Sequence, residues 1–383
     1  MHRLLILLAF IMLGIGTPAA AQLPRWTKPD AAELLSVVDQ VGAEGLDPAD
    51  YGPAPLRAAL ASGNQDDLDR AATAAFEKIA HDFGEGRVGA SGRIRWRIPG
   101  RRVDSSFQQA LMLTALGTHQ VQATLQSLLP RHPEYGALKA ALAATPPADK
   151  ATVQRLRTNL ERWRWMPRDF GRRYLLVNVA AFQVALVVDG KVLERHRIIV
   201  GKPRTPTPQF AATVQAVLIN PWWDVPSSII AESVGRLVRN NPKVARARGY
   251  VGGGGHIRQR PGPGNALGQI KLVMPNPFTV YLHDTPSKEL FNKEVRTFSH
   301  GCIRTQDVLG LAATLLASRP EWNQAAIERV MATRVTTQVP LDRPVPIYVT
   351  YFTAASSADG MVESYPDVYG RDGPVVAGLG GRR

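Results

Sequence analysis

Ser299-His300-Gly301-Cys302-Ile303-Arg304 holds the only cysteine among 383 residues, and the reading of the whole chain turns on this stretch. A thiol is a poor nucleophile until it loses its proton. A nearby imidazole can take that proton, and a helix N-terminus can stabilise the thiolate. Both are in prospect here. His283 lies upstream in Val280-Tyr281-Leu282-His283-Asp284. The pattern after the motif predicts a tight turn at Gly301 and an amphipathic helix from about Thr305 to Leu316. A free cysteine is often a buried packing residue, but packing needs no flanking Ser-His-Gly and no Arg. A Cys–His pair points instead to covalent acyl transfer: His283 takes the Cys302 proton and returns it to the leaving amine. Backbone N–H groups of Gly301 and Cys302 are the expected oxyanion donors, since Gly301 permits close approach.

The two segments resemble the L,D-transpeptidase (YkuD-type) family of bacterial cell-wall enzymes, which carry a His, a gap of moderate length, then Ser/Thr-His-Gly-Cys-x-Arg. The likeness runs from about Asn159 to Asp372. It is closest to the branch with a separate N-terminal scaffold domain. The resemblance implies that the backbone carbonyl of Asp284 orients the His283 ring, with the Asp284 carboxylate as a competitor for that role. It implies that Arg304 meets a substrate carboxylate or a loop carbonyl. Ser299 and His300 are expected to wall and orient the site, and Tyr281 to face the cleft as a donor. The implied reaction cleaves the bond after the third residue, a meso-diamino acid, of a tetrapeptide stem and releases D-Ala. The acyl group passes to an amine of another stem, giving a 3→3 cross-link. Water as acceptor gives an L,D-carboxypeptidase, and a lipoprotein lysine gives tethering to the wall. Peptidoglycan stem peptides are the implied partners and carbapenem-type β-lactams the implied inhibitors. No cofactor and no metal are expected. The spacing of His256, His283, His300 and Cys302 matches no common zinc pattern. A non-catalytic wall-binding protein is the rival reading, against which the intact Cys, His and Arg set speaks.

The N-terminus reads as a cleaved signal peptide over residues 1–21. Met1-His2-Arg3 precedes an apolar run from Leu4 to Ile15, then Pro18-Ala19-Ala20-Ala21. An uncleaved anchor is the alternative. The expected compartment is the periplasm, an oxidising one in which a lone thiol favours chemistry over packing. The formal net charge of +14 suggests an anionic partner. An exported protein seldom meets nucleic acid, so the carboxylates of wall peptides are the expected polyanion. The arginines are scattered, and no single basic patch is evident.

The fold class read from the chain is α+β. Residues 22–150 read as a helical scaffold domain. Helices are expected over Ala31–Val41, with Asp30 and Glu33 as a capping box, and near Leu68–Ala80, Ser106–Leu116, Gln120–Leu129 and Tyr135–Leu142. Thr145-Pro146-Pro147-Ala148-Asp149-Lys150 leads straight into the next helix, which leaves no room for the peptidoglycan-binding module that the resembling branch often inserts there. Residues 151–169 read as a linking helix and a Trp-rich junction, with Trp163 and Trp165 gluing the two domains. Residues 170–353 read as a β-sandwich-like catalytic domain, opened by strands around an Asp189-Gly190 hairpin turn. Within it, 222–267 reads as an insertion capping the site: a helix with Ser227 as N-cap, then four consecutive glycines unsuited to a strand or helix interior. Residues 354–383 read as a hairpin followed by a disordered basic tail from Gly378.

Overall fold

The structure, a computed structural model, describes residues 24–253, 255–357 and 359–380. The expected signal peptide lies outside the described residues. Seven helices build the N-terminal domain: α1 (Lys28–Gln40), α2 (Pro53–Ser62), α3 (Gln65–Gly84), α4 (Ser105–Thr118), α5 (Val121–Gln126), α6 (Pro133–Ala144) and α7 (Lys150–Arg164). α1 starts earlier than its apolar period suggests. Thr27 is the N-cap: its hydroxyl accepts from the Asp30 N–H at 3.2 Å and donates to the Asp30 carboxylate at 2.6 Å. Asp30 is therefore the third helical residue of a capping box that Thr27 opens. α2 is not among the helices expected from the sequence. Its prolines sit in the first turn, where a missing N–H leaves no helix bond unmade.

The C-terminal domain is built on one hydrogen-bonded sheet folded back on itself, with a short strand of the N-terminal domain at its edge. The strands are β1 (Trp96–Arg97), β2 (Arg173–Asn178), β3 (Gln183–Val188), β4 (Lys191–Gly201), β5 (Gln209–Ile219), β6 (Trp223–Asp224), β7 (Tyr250–Gly253), β8 (His256–Gln259), β9 (Ile270–Val273), β10 (Leu282–His283), β11 (Thr297–Ser299), β12 (Ile303–Thr305) and β13 (Thr337–Thr350). β6, β7 and β8 form a separate small sheet. The main order is β5-β13-β2-β3-β4-β12-β10-β9, and β9 pairs again with β5, so eight strands close a ring. The two layers expected of a sandwich are thus two sides of one continuous sheet. Inside lies an aliphatic core including Leu175, Val184, Ile198, Val217, Leu272, Leu282, Ile303 and Ile347. Asp189 and Gly190 both have positive φ, as a type I′ turn between β3 and β4 requires. β13 begins nine residues before the expected late strand at Pro346. Its prolines at 340, 344 and 346 obscure it, yet it pairs with β5 across a register shift between Pro340 and Val345.

α7 carries the junction. Trp163 stacks on His132 at 4.3 Å and on Phe352 at 4.8 Å, and Trp165 meets Trp96 edge-on at 5.2 Å. Glu161, fully buried, pairs with Arg164 at 2.7 Å and also accepts from the Val88 N–H and the Trp165 indole N–H. Of the tail expected from Gly378, residues 378–380 are helical instead, and 381–383 lie outside the described residues. A helix, Asp372–Gly380, buries Val375 and Leu379 in the same cluster as the Trp residues. An Arg162–Asp372 ion pair of 2.7 Å also ties it to α7.

The insertion has its own small core of Trp223, Val225, Val234, Ile257 and Leu267. Residues 227–240 are helical, with a π-helical turn at Ile230–Val234. Pro226 is the N-cap and Ser227 the first helical residue, so Ser227 does not cap. Gly252 and Gly253 do lie in a strand. Gly252 has φ +94°, and a side chain there would sit 2.4 Å from the His256 carbonyl oxygen, so a glycine is what lets β7 approach β8.

Candidate active site

Strand pairing assembles the site. β10 and β12 run side by side in parallel, with Leu282 opposite Ile303 and His283 opposite Arg304. β9 lies on the other side of β10, with Lys271 opposite His283. Leu282, Ile303 and Leu272 point into the core. Side chains alternate along strands, so Lys271, His283 and Arg304 form one row across three strands on the opposite face. The Ile303 N–H donates to the Tyr281 carbonyl at 3.0 Å, which carries the pairing back to Tyr281 and Cys302. Those two residues form the next row. The Tyr281 and His283 rings meet edge-on at 5.7 Å, and the Lys271 ammonium sits 3.7 Å from the Tyr281 ring centroid.

Cys302 is half-buried, and its thiol donates to the Thr279 carbonyl at 3.7 Å. Burial pushes the thiol up. The Tyr281 backbone and hydroxyl, then the Lys271 and Arg304 charges, pull the other way without cancelling it. At rest the sulfur is therefore protonated at neutral pH. Burial, and then the Arg304 charge, press His283 down to about 4, so its ring is neutral under the same conditions. The backbone of Asp284 and of Leu267 beside the ring favours the charged form, yet buried Nδ1 closes no full hydrogen bond. The Asp284 carboxylate is directed elsewhere: it accepts from the Gln269 N–H at 3.0 Å and pairs with Lys288. This leaves the Asp284 backbone, not its side chain, beside the imidazole. Gly268 makes that placement possible. Its φ is +62°, and a side chain there would fall 2.3 Å from the Asp284 side chain.

The motif turn differs from expectation in three ways. β12 stands between Cys302 and the next helix, which is Val308–Leu315 and is capped by Asp307. The helix N-terminus is then too far along the chain to act on the sulfur, because that field fades within a turn. Positive charge near Cys302 comes from Lys271 and Arg304 instead. Second, Ser299 is buried and turned inward. It donates to the Cys302 carbonyl at 2.6 Å and accepts from the Gly301 N–H at 3.1 Å, so it shapes the turn rather than walling a substrate. Third, that contact engages the Gly301 N–H, which removes it from the expected oxyanion pair. Gly301 itself has φ +120°, and its carbonyl accepts from Thr207 at 2.8 Å.

His300 is at the rim, where Nε2 lies 2.7 Å from Glu232 of the insertion. Lys202 approaches the same carboxylate at 4.0 Å. Among the described residues neither Arg304 nor Lys271 forms an ion pair, although each is at least partly buried. Lys271 was not singled out from the sequence. The signal was present in Ile270-Lys271-Leu272-Val273, where alternation sets one cation on the face away from the core. Nothing in the sequence marks Glu232.

Residues 172–345 match the protein-family model described as the L,D-transpeptidase catalytic domain (YkuD), and residues 19–142 match the one described as the scaffold domain. A Haemophilus influenzae protein, provisionally named as an L,D-transpeptidase, is 29% identical over 282 residues. The match covers 68% of this chain and 57% of the relative's length. Among solved structures, an L,D-transpeptidase from Mycobacterium smegmatis is 17% identical, with 47% of this chain and 58% of that one covered and a TM-score of 0.25. L,D-transpeptidase 3 from Mycobacterium tuberculosis, in complex with a faropenem-derived adduct, is 15% identical, with 47% and 60% covered and a TM-score of 0.25.

Proposed function

From a chain that carries an L,D-transpeptidase catalytic domain behind a scaffold domain, we propose a peptidoglycan L,D-transpeptidase in which Cys302 is the nucleophile and His283 its base. The observation that supports it most is the shared strand face: a thiol, a neutral imidazole and two cations that form no ion pair among the described residues, all on β9, β10 and β12 or the turn beside them. Because both groups are neutral at rest, the proton moves with the attack and not before it. His283 takes the Cys302 proton as sulfur bonds to the carbonyl carbon of the third residue of a tetrapeptide stem. The carbon–nitrogen bond to D-Ala breaks, and His283 returns the proton to the departing amine. The thioester then meets an amine of a second stem. His283 takes the amine's proton and hands it to the sulfur as the new amide forms, which gives a 3→3 cross-link.

The Cys302 N–H, on the turn that Ser299 and Thr207 hold, is the oxyanion donor. Arg304 receives a substrate carboxylate, which a guanidinium can grip through two parallel hydrogen bonds. The Tyr281 hydroxyl beside the sulfur orients the carbonyl. Carbapenem-type β-lactams, acyl donors themselves, acylate the same thiol. The periplasm is the compartment that fits the signal-peptide reading and the substrate.

Incubation with a tetrapeptide stem, followed by mass spectrometry of the products, tests the proposal. Release of D-Ala by the wild type, abolished by Cys302→Ala and indifferent to a strong chelator, is the expected result. A wild type that leaves the tetrapeptide intact contradicts it.

A further inference from the structure

A second cationic region, a cleft that does not include Arg304 in its lining, adjoins the motif turn at His300 and Gly301. It encloses about 440 Å³ and is lined by Arg95, Arg97, Arg204, Phe278, His300 and Gly301, together with Val280 and prolines of the 204–208 loop. That volume suits a small peptide, since ligand sites commonly span roughly 300–1,000 Å³. Its walls come from both domains. Arg95 and Arg97 flank Trp96 on β1, which pairs in parallel with the start of β5. Trp96 turns into the junction against Trp165, so alternation directs Arg97 to the opposite side, towards the cleft. Arg204 belongs to the loop whose Thr207 grips the Gly301 carbonyl. All three arginines are exposed, and among the described residues none forms an ion pair. Three like charges on one cavity wall repel each other, and planar guanidinium forks are suited to carboxylates.

We infer that this cleft binds the carboxylates of the second, amine-bearing stem peptide, the acceptor of the proposed transfer. The inference rests on the transpeptidase reading. A cross-linking reaction brings two acidic peptides to one thioester, and the structure offers two separate sets of cations. Lys271 and Arg304 flank the sulfur on the strand face, while Arg95, Arg97 and Arg204 line the cleft. The two regions meet at the turn, because Val280 and Gly301 line the cleft and Cys302 follows Gly301. An acceptor held by its carboxylates in the cleft has its amine brought to the thioester from the side that Val280 and Gly301 line. The scaffold domain then contributes directly to acceptor binding, through Arg97 of β1 and Arg95 just before it.

Titration calorimetry with a stem tripeptide, which has no D-Ala to release, tests binding directly. The Arg95→Gln/Arg97→Gln/Arg204→Gln protein is expected to bind it at least about tenfold more weakly than the wild type. Amidating the peptide's carboxylates should weaken wild-type binding similarly, and salt should weaken it further. Equal dissociation constants for the two proteins, or no binding to the wild type, overturn the inference. Turnover separates it from the reading beneath it. A wild type that releases no D-Ala from tetrapeptide overturns the transpeptidase reading. If D-Ala is released, the ratio of cross-linked to hydrolysed product should fall about tenfold in the triple variant; an unchanged ratio overturns the cleft alone.

Discussion

His283 gives the site a dependence on acid that can be worked from its burial. In the folded protein the ring is held down to about 4, whereas an ordinary histidine titrates near 6.5. Above pH 6.5 the ring is neutral in both folded and unfolded chains, so it adds no pH dependence. Between 6.5 and about 4 the unfolded chain takes up a proton that the folded chain refuses. Stability is therefore full above 6.5 and is lost as pH falls, at about 1.4 kcal/mol per pH unit. From pH 7 to pH 5 that is about 2 kcal/mol from this one side chain, a sizeable part of a stability of roughly 5–15 kcal/mol. The assay is urea unfolding of the wild type and of His283→Gln at both pH values. Other groups, including half-buried His132, which is also held down to about 4, act in both proteins and cancel in the comparison. The wild type should lose about 2 kcal/mol more than the variant between pH 7 and pH 5. Equal losses would show that the ring is not kept neutral by burial, and the concerted proton transfer drawn from it would fall.

Three further outcomes follow from particular contacts. Glu161→Gln leaves the buried Arg164 guanidinium without its carboxylate. The loss should be about 3–5 kcal/mol, seen by calorimetry as a fall in Tm of roughly 6–20 °C; a change within about 2 °C would refute the junction's role. Gly268→Ala forces a side chain into Asp284 at a left-handed backbone position. A loss of about 1–3 kcal/mol is expected, together with slower acylation of Cys302 by a carbapenem, because the backbone beside His283 shifts; wild-type acylation kinetics in a folded variant would count against the positioning argument. Glu232→Gln removes the charge that joins His300 and Lys202 to the insertion. Hydrogen exchange should then speed up over residues 227–247, and unchanged protection there would mean that the contact does not hold the insertion down.

Much of this was legible because strands and helices announce themselves by period. The 3.6-residue repeats placed most scaffold helices, and Asp189-Gly190 placed the first hairpin. The motif named Cys302 and His283, and pairing of β10 with β12 puts both on one side of the sheet. What stayed hidden has physical causes. Prolines at 53 and 55 look like breakers but sit where a helix tolerates them, and those at 340, 344 and 346 sit in a strand whose pairing shifts register to accommodate them. Sheet closure depends on β5 meeting β9, a pairing between distant segments that no local pattern encodes. Ser299 looked like a substrate contact because it is polar and next to the nucleophile, but a turn with a buried interior needs its own donors and acceptors, and Ser299 serves as one of each. The thiolate-stabilising helix was inferred from an apolar period that in fact begins after a short strand.

The central claim is that Cys302 takes up the acyl group with His283 as its base. Intact-protein mass spectrometry after exposure to a carbapenem, with peptide mapping of the product, tests it most directly. One adduct per chain on the Cys302 peptide is predicted for the wild type at pH 7, with none on Cys302→Ala and a rate reduced by about 10²–10⁴ for His283→Gln, the usual weight of a general base. An unmodified wild type, or an adduct that forms as fast without the imidazole, contradicts the account.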